Sequence, residues 1–404
     1  MTGPFSLTGL ERLLAAPERA AGWGRVGLLT NPSGVTRDLT PSAVALQGAG
    51  VRLTRLFGPE HGVDGSGAPG EAPEAGVDAA SGLPSSVLYH LNEEETLSRL
   101  GGIDTLLVDL VDVGVRFYTY ISTVRDVLRA SRTRQENGEP LRVVILDRPN
   151  PVGFTVEGPP LLDPAFRSFV GVTTALPLRH GLTMGELARV LAAEEGAQVE
   201  VILTDAPDGW HGHDSDGERP WVPPSPNLPD LLHTRLYPGL CLVEALDASE
   251  GRGTALPFRL VGAPDLDAHA LAARLNALDR TFNLGVTARP AFFAPTTSKH
   301  AGQRCAGVQL HERSGPLTRA LPLGLTVFTA LEEAGAQRNP DWLQKLLGVP
   351  AADVPRTPEA ALEALSGWQA AGEQAALTLR PHWLYPRPGV PSPRPGSEVL
   401  RPAP

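Results

Sequence analysis

Val51-Arg52-Leu53-Thr54-Arg55-Leu56-Phe57-Gly58-Pro59-Glu60-His61-Gly62 is an apolar run that ends on a glycine-bounded turn carrying an acid and an imidazole. Val51 to Phe57 reads as a strand. In open α/β sheets ligands bind beyond the carboxyl ends of strands, so Glu60 and His61 are expected at the mouth of a site. The plainer reading of the same turn is that Glu60 caps a helix.

Outward from this stretch the pattern repeats. Apolar, β-branched runs recur at Arg25 to Leu29, Thr105 to Asp109, Arg142 to Asp147 and Val199 to Leu203. Helix-patterned segments fall at Leu39 to Gln47, Asn92 to Leu100, Ile121 to Arg132 and Met184 to Glu195. Strand and helix in alternation predict an α/β fold with a mostly parallel sheet covered on both faces. The unusual polar residues nearly all follow a strand. Thr30, Asn31, Pro32 and Ser33 follow the first, Glu60 and His61 the second, Asp109, Asp112 and Arg116 the third, and Asp147, Arg148 and Asn150 the fourth. Parallel strand ends point one way, so four loops deliver acids, an imidazole and guanidiniums to one edge.

The chain has 404 residues, 42% of them hydrophobic and 20% charged, the balance of a globular protein of two domains. We expect these at residues 1–230 and 231–404, the second smaller and mixed α/β. A net charge of −10 without a basic run argues against a nucleic-acid partner. No stretch of about 18 apolar residues predicts a membrane span. Leu7, Leu10, Leu13 and Leu14 mark an amphipathic amino-terminal helix rather than a secretory signal, which gives a cytoplasmic expectation. Cys241 and Cys305 read as buried free thiols. A proline-rich connector with Trp210, His211, His213 and Trp221 follows residue 205. Beyond it Leu240 to Leu246 and Gly307 to His311 read as strands, and Leu266 to Leu278 and Leu325 to Gly335 as helices. The tail Pro381 to Pro404 holds eight prolines and is expected to end extended.

Several strings bear on chemistry. Gly65-Ser66-Gly67-Ala68-Pro69-Gly70 has the letters of a dinucleotide fingerprint but not its strand-to-helix setting, and no cofactor is expected. Asp112-Val113-Gly114-Val115-Arg116-Phe117-Tyr118-Thr119-Tyr120 packs an acid, a guanidinium and two phenols together, which suits a polyhydroxylated substrate. Asp147-Arg148-Pro149-Asn150-Pro151 ends its strand with prolines that fix the direction of the loop. Glu157, His180, Glu250 and Arg252 each stand beside a glycine, which permits close approach by a ligand. His211-Gly212-His213-Asp214 is the densest histidine stretch, without the helical pairing of a zinc hydrolase. No serine has the small-residue elbow of a nucleophile.

In order along the chain, Leu29 to Gly34, the Glu60-His61 turn, Asp112 to Tyr120, Asp147 to Pro151, Glu157-Gly158-Pro159, His180 to Thr183, Pro224 to Asn227, Glu250 to Thr254 and Ser298 to His300 resemble the NamZ-type exo-β-N-acetylmuramidases, formerly a domain family of unknown function. The resemblance covers roughly residues 25 to 315. It implies a Rossmann-like first domain, a smaller second domain completing the cleft, and release of N-acetylmuramic acid from the non-reducing end of peptidoglycan fragments in wall turnover and recycling. The acid of the family's turn maps onto Glu60. Many relatives carry arginine just after it, where this chain has Asp64. Glycoside hydrolysis needs an acid for the leaving oxygen and a second group at the oxocarbenium-like centre. We expect Glu60 as the partly buried acid and His61 as its orienter. Asp112 leads as second group, with Asp109 and Glu250 behind it, unless the substrate's acetamido oxygen attacks. Asn31, Tyr118, Tyr120, Asp147, Asn150, Glu157 and His180 are expected to line the site. Arg116, Arg148, Arg179 and Arg252 are the candidates for the lactyl carboxylate. The competing readings are a non-catalytic muropeptide-binding protein and a metal-dependent hydrolase. Oligomeric state is left open.

Overall fold

The computed structural model describes residues 7–68, 70, 73–166, 176–206, 211, 219–313 and 319–387. In chain order the first half runs α1 (Gly9–Ala15), β1 (Val26–Thr30), α2 (Ser42–Gly48), β2 (Leu53–Gly58), β3 (Gly76–Val77), β4 (Pro84–Val87), α3 (Glu93–Arg99), β5 (Thr105–Asp109), α4 (Tyr120–Glu136), β6 (Arg142–Leu146), β7 (Glu157–Pro160), β8 (Pro177–Arg179), α5 (Met184–Glu195) and β9 (Glu200–Ile202). All five expected strands join one sheet of order β3-β4-β2-β1-β5-β6-β9, parallel throughout except for β3 against β4. Pairing aligns Leu29 with Phe57, Thr30 with Asp109 and Val108 with Ile145, so four strands finish level at one edge. Strand order reverses between β1 and β5, the place where such sheets bind ligands.

The central strands β1, β5 and β6 are buried on both faces, which is why they read as nearly continuous apolar runs. Val26 and Leu28 pack with Leu10, Leu13 and Leu46 under α1 and α2, whereas Leu29 and Val108 pack with Val124, Leu128 and Leu187 under α4 and α5. Thr8, Asn92 and Thr183 each start a helix with a capping box closed by Glu11, Glu95 and Glu186. Sequence reading passes over β4, because Pro84-Ser85-Ser86-Val87 has no apolar run; it is a strand only through its pairing with β2.

The second half comprises α6 (Leu231–Leu240), β10 (Leu260–Ala263), α7 (Ala268–Phe282), β11 (Val286–Phe293), β12 (Cys305–Glu312), α8 (Ala320–Glu333), α9 (Pro340–Leu347) and α10 (Pro358–Thr378), with an antiparallel sheet β10-β12-β11. Leu240 to Leu246 is not a strand. It is the end of α6 followed by a 3-10 turn, Cys241–Ala245, buried on nearly every side so that no periodicity marks it as helical. At the crossing of α6 and α8, a Cβ on Gly239 would stand 1.9 Å from the Ala320 carbonyl oxygen.

One continuous apolar core joins the two halves, and the tail ties them again. Within the described part of the tail, Leu384 N–H donates to Glu186 Oε1 (2.8 Å), Arg387 to Glu186 Oε2 (2.6 Å), and the Tyr385 hydroxyl to Asp147 Oδ2 (2.6 Å), and the tail's end, expected to be extended, lies outside the described residues. Asp147 also accepts from Gly185 N–H and the Thr183 hydroxyl, both at 2.8 Å. Burial pushes its pKa from 3.8 up to about 6, against the pull of those bonds. The folded state therefore holds this proton more tightly than the unfolded chain. The stability that the protonated carboxyl contributes is full below about pH 4 and is lost as pH rises through about 6. Asp147→Asn keeps an acceptor for Gly185, and both hydroxyl partners can turn to accept from its amide. Its melting temperature relative to the parent is expected to rise between pH 4 and 7; a difference that stays flat over that range removes Asp147 as the source.

Candidate active site

The Glu60 turn sits where its strand ends. A Cβ on Gly58 would lie 2.4 Å from the Gly62 carbonyl carbon and the Val63 nitrogen, so the fold-back that follows β2 requires glycine there. His61 holds a left-handed φ of 73°, strained for a residue with a side chain. Its Nδ1 lies 2.8 Å from the Gly67 carbonyl, while Gly67 N–H returns to the His61 carbonyl at 3.0 Å. A carbonyl only accepts, so Nδ1 carries the proton and Nε2 is the ring's accepting nitrogen.

Glu60 does not cap a helix. Its Oε1 accepts from Gly70 N–H (2.7 Å) and its Oε2 from the Thr119 hydroxyl (2.6 Å). Thr119 stands at the amino-terminal cap of α4, yet spends its side chain on Glu60 instead of on the helix. Tyr89, in the segment after β4, lies near Glu60, and burial together with the charge of that carboxylate raises the pKa of its hydroxyl. Sequence reading missed Tyr89 because it missed β4, and passed over Thr119 inside a string it had singled out. The Gly70 amide can only donate, which reserves Oε2 as the oxygen able to carry a proton.

Asn31 and Tyr120 build the wall beside this turn. Asn31 Nδ2 donates to the Tyr120 hydroxyl (3.0 Å) and the Pro224 carbonyl (2.8 Å), its Oδ1 accepts from Ser33, and the Tyr120 hydroxyl also reaches Pro224. Tyr118 is buried against Tyr120 at 4.5 Å between centroids and against Tyr237 at 6.3 Å. Both phenols are thus packed within the fold, and Tyr120 with Asn31 seats the Pro224 segment.

The other expected residues are mostly tied into buried networks at the same edge. Arg148 grips both oxygens of Asp109, at 2.5 and 2.8 Å, and the Val35 carbonyl. Asn150 links the Leu182 carbonyl to the Val152 amide. Arg179 pairs with Glu157 at 3.1 Å, and the same Glu157 oxygen accepts the first amide of α8, Ala320 N–H, at 3.1 Å. Arg116 is fully enclosed, its two terminal nitrogens donating to the carbonyls of Pro159, Leu176, Leu346 and Leu347. Burial lowers its pKa to about 9.

Asp112 stands apart from these. Its Oδ2 accepts from Gly114 N–H (2.7 Å) and lies 3.3 Å from His180 Nε2. That approach is close enough for an ion pair but lacks hydrogen-bond geometry, and Asp112 Oδ1 and His180 Nε2 are both buried without a partner. His180 Nδ1 accepts from Leu182 N–H (3.1 Å), which leaves the ring proton on Nε2, facing Asp112. In the second half, Glu250 bonds Arg252 (2.9 Å), and Arg252 also grips Glu244 (2.6 Å). Rings at Tyr120, Tyr118, Tyr237 and Phe258, with Arg252 over the last, connect this cluster to the Glu60 wall. Among the described residues no three histidine, cysteine or acidic side chains group to hold a metal. Residues 212–218, with His213 and Asp214, lie outside those described, as does Pro69 of the glycine-rich stretch.

If Thr119 orients Glu60, Thr119→Val lowers kcat by about tenfold and Thr119→Ser restores most of it, since only the hydroxyl contributes. Steady-state turnover of the three proteins checks this; equal loss in the Ser variant assigns Thr119 to packing alone.

The family description Exo-beta-N-acetylmuramidase NamZ, N-terminal, matches residues 26–232, and its C-terminal counterpart matches residues 235–374. The chain belongs to the NamZ family. It is 39% identical over 333 residues to the peptidoglycan beta-N-acetylmuramidase NamZ of Bacillus subtilis (strain 168), covering 82% of this chain and 78% of that relative. Two crystal structures of DUF1343 family proteins from Bacteroides fragilis NCTC 9343 superpose on 95% of this chain and on 100% of theirs. Their TM-scores are 0.77 and 0.70, at 29% and 25% identity. The NamZ resemblance read from the short strings therefore stands, with an α/β sheet domain as its first part. No helix among the described residues is long and apolar enough to cross a membrane.

Proposed function

We propose that the chain is a glycoside hydrolase that releases N-acetylmuramic acid from the non-reducing end of peptidoglycan fragments, with Glu60 as the general acid. The observation that carries this reading is the Glu60 carboxyl at the ligand-binding edge, held by a donor-only amide on one oxygen and a hydroxyl on the other. The proton sits on Oε2 and passes to the glycosidic oxygen. The Thr119 hydroxyl, which can accept or donate, then turns to donate to the carboxylate left behind. His61 clamps the turn that presents Glu60. Asp112 is our second group, supported by its unmatched Oδ1 and its pairing with His180. Asp109 and Glu250 carry less weight, since Asp109 is gripped by Arg148 and Glu250 is paired with Arg252 and Lys299.

The first test is release of chromophore from 4-nitrophenyl β-N-acetylmuramide beside the matching N-acetylglucosaminide. Cleavage of the muramide alone is the expected result, and cleavage of neither overturns the assignment. Residues 1–230 as the catalytic domain and 231–404 as the domain that completes the cleft, a role in wall recycling, and a cytoplasmic location belong to the same proposal. Fractionation of cells tests the location.

A further inference from the structure

The tail residues Trp383 to Arg387 lie past residue 374, the last that the family description matches, and reach back to the sheet edge. Arg387 is buried there, its guanidinium 3.4 Å from the centroid of the Phe154 ring and 5.0 Å from that of Trp383. One terminal nitrogen, Nη2, donates both to Glu186 Oε2 (2.6 Å) and to the Gly181 carbonyl (3.1 Å). Glu186 supplies the counter-charge that makes a guanidinium tolerable in the interior. The Gly181 carbonyl places that guanidinium one residue from His180, the partner of Asp112.

The Gly181 carbonyl and the Leu182 N–H are the two ends of one planar peptide unit. Leu182 N–H donates to His180 Nδ1 (3.1 Å), so Arg387 grips the carbonyl of the same plane whose amide sets the imidazole. The two main chains are already joined, since His180 N–H donates to the Gly114 carbonyl (3.0 Å) and Gly114 N–H to Asp112 Oδ2 (2.7 Å). What the peptide plane decides is therefore the tautomer of the ring. Gly181 has a φ of 62°, and glycine moves between backbone wells at small cost, so the plane can turn over unless its carbonyl is held. Turned over, it presents an acceptor to Nδ1. The ring proton then moves to Nδ1, and Nε2 turns a lone pair on Asp112 Oδ2, 3.3 Å away. We propose that Arg387 is a positioning residue: through the Gly181–Leu182 peptide it keeps the His180 proton on Nε2, where it supports Asp112 as the second group of the reaction. Its effect on turnover rests on the muramidase reading, and its effect on the tautomer does not.

Nitrogen-15 spectra of histidine-labelled protein read the tautomer directly, with the His180 signals assigned by their loss in His180→Gln. The parent protein is expected to show Nε2–H at His180, and Arg387→Met a shift toward Nδ1–H. On 4-nitrophenyl β-N-acetylmuramide, whose leaving group asks little of Glu60, Arg387→Met is expected to lower kcat by about tenfold to a hundredfold with KM little changed, the scale of a misplaced group. Arg387→Lys is expected to restore most of both readings, because one ammonium can donate to the same two acceptors. Tyr385→Phe removes the neighbouring tail bond to Asp147 and is expected to lower the melting temperature while leaving tautomer and kcat near the parent's. An unchanged Nε2–H tautomer in folded Arg387→Met overturns the proposal, and so does a loss of kcat in Tyr385→Phe as large as in Arg387→Met, which assigns the tail to stability alone. A tautomer that shifts while kcat stays at the parent's value removes the pair of His180 and Asp112 from the reaction. A parent protein that cleaves no muramide removes the muramidase reading, and the spectra still decide whether Arg387 sets the tautomer.

Discussion

Glu60→Gln lowers kcat on muramides with a sugar leaving group, which departs only when protonated, by at least about a hundredfold, the usual contribution of a positioned general acid, with KM and melting temperature nearly unchanged. The substitution is close to isosteric. The amide oxygen can still accept from Gly70 N–H, and the amide nitrogen can donate to the Thr119 hydroxyl, which accepts as readily as it donates. What the variant lacks is a transferable proton at the position of Oε2. Because ground-state contacts survive, the loss falls on kcat, the signature of an interaction made in the transition state. Steady-state kinetics with that leaving group, poorer than nitrophenol, makes the measurement, since protonation then matters more. Near-normal turnover would strike Glu60 from the acid role and move attention to Asp112.

Arg116→Met destabilises the fold by about 2–4 kcal/mol, read from denaturant unfolding. Methionine fills much of the volume, so the cost is chiefly electrostatic. Four carbonyls, from Pro159, Leu176, Leu346 and Leu347, lose their donors in a place water does not reach. The last two end α9, where a cation is favoured by the negative end of the helix. Gly348 makes the room: a Cβ there would stand 2.3 Å from an Arg116 terminal nitrogen, and the residue has φ of 79°. Gly348→Ala should therefore reproduce much of the defect from the other side of the contact. A melting temperature for Arg116→Met within a degree or two of the parent would show that the carbonyls find other partners.

The parallel sheet was legible because its central strands are buried on both faces and keep apolar runs at Val26 to Leu29, Leu106 to Val108 and Val143 to Leu146, while β2, half-exposed at Thr54 and Arg55, still ends on Leu56 and Phe57. The strand-end residues were legible for a related reason: a buried strand ends where its side chains turn polar. The short strand β4 was not, since it exists only by pairing with β2, and Tyr89 was lost with it. Leu240 to Leu246 was misread because a run buried all round carries neither the period of a helix nor that of a strand.

Local pattern by itself determined the α/β layer, the sheet edge at which the polar residues gather, the turn after β2 and the family resemblance. Tertiary structure decided what each polar residue at that edge does. Arginine, aspartate and asparagine have the same letters whether they meet a ligand or a distant carbonyl. Their partners lie far away along the chain: Asp109 for Arg148, Leu347 for Arg116, Tyr385 for Asp147. A buried charge or amide must be satisfied by whatever the fold brings next to it, and that is a property of packing rather than of sequence spacing.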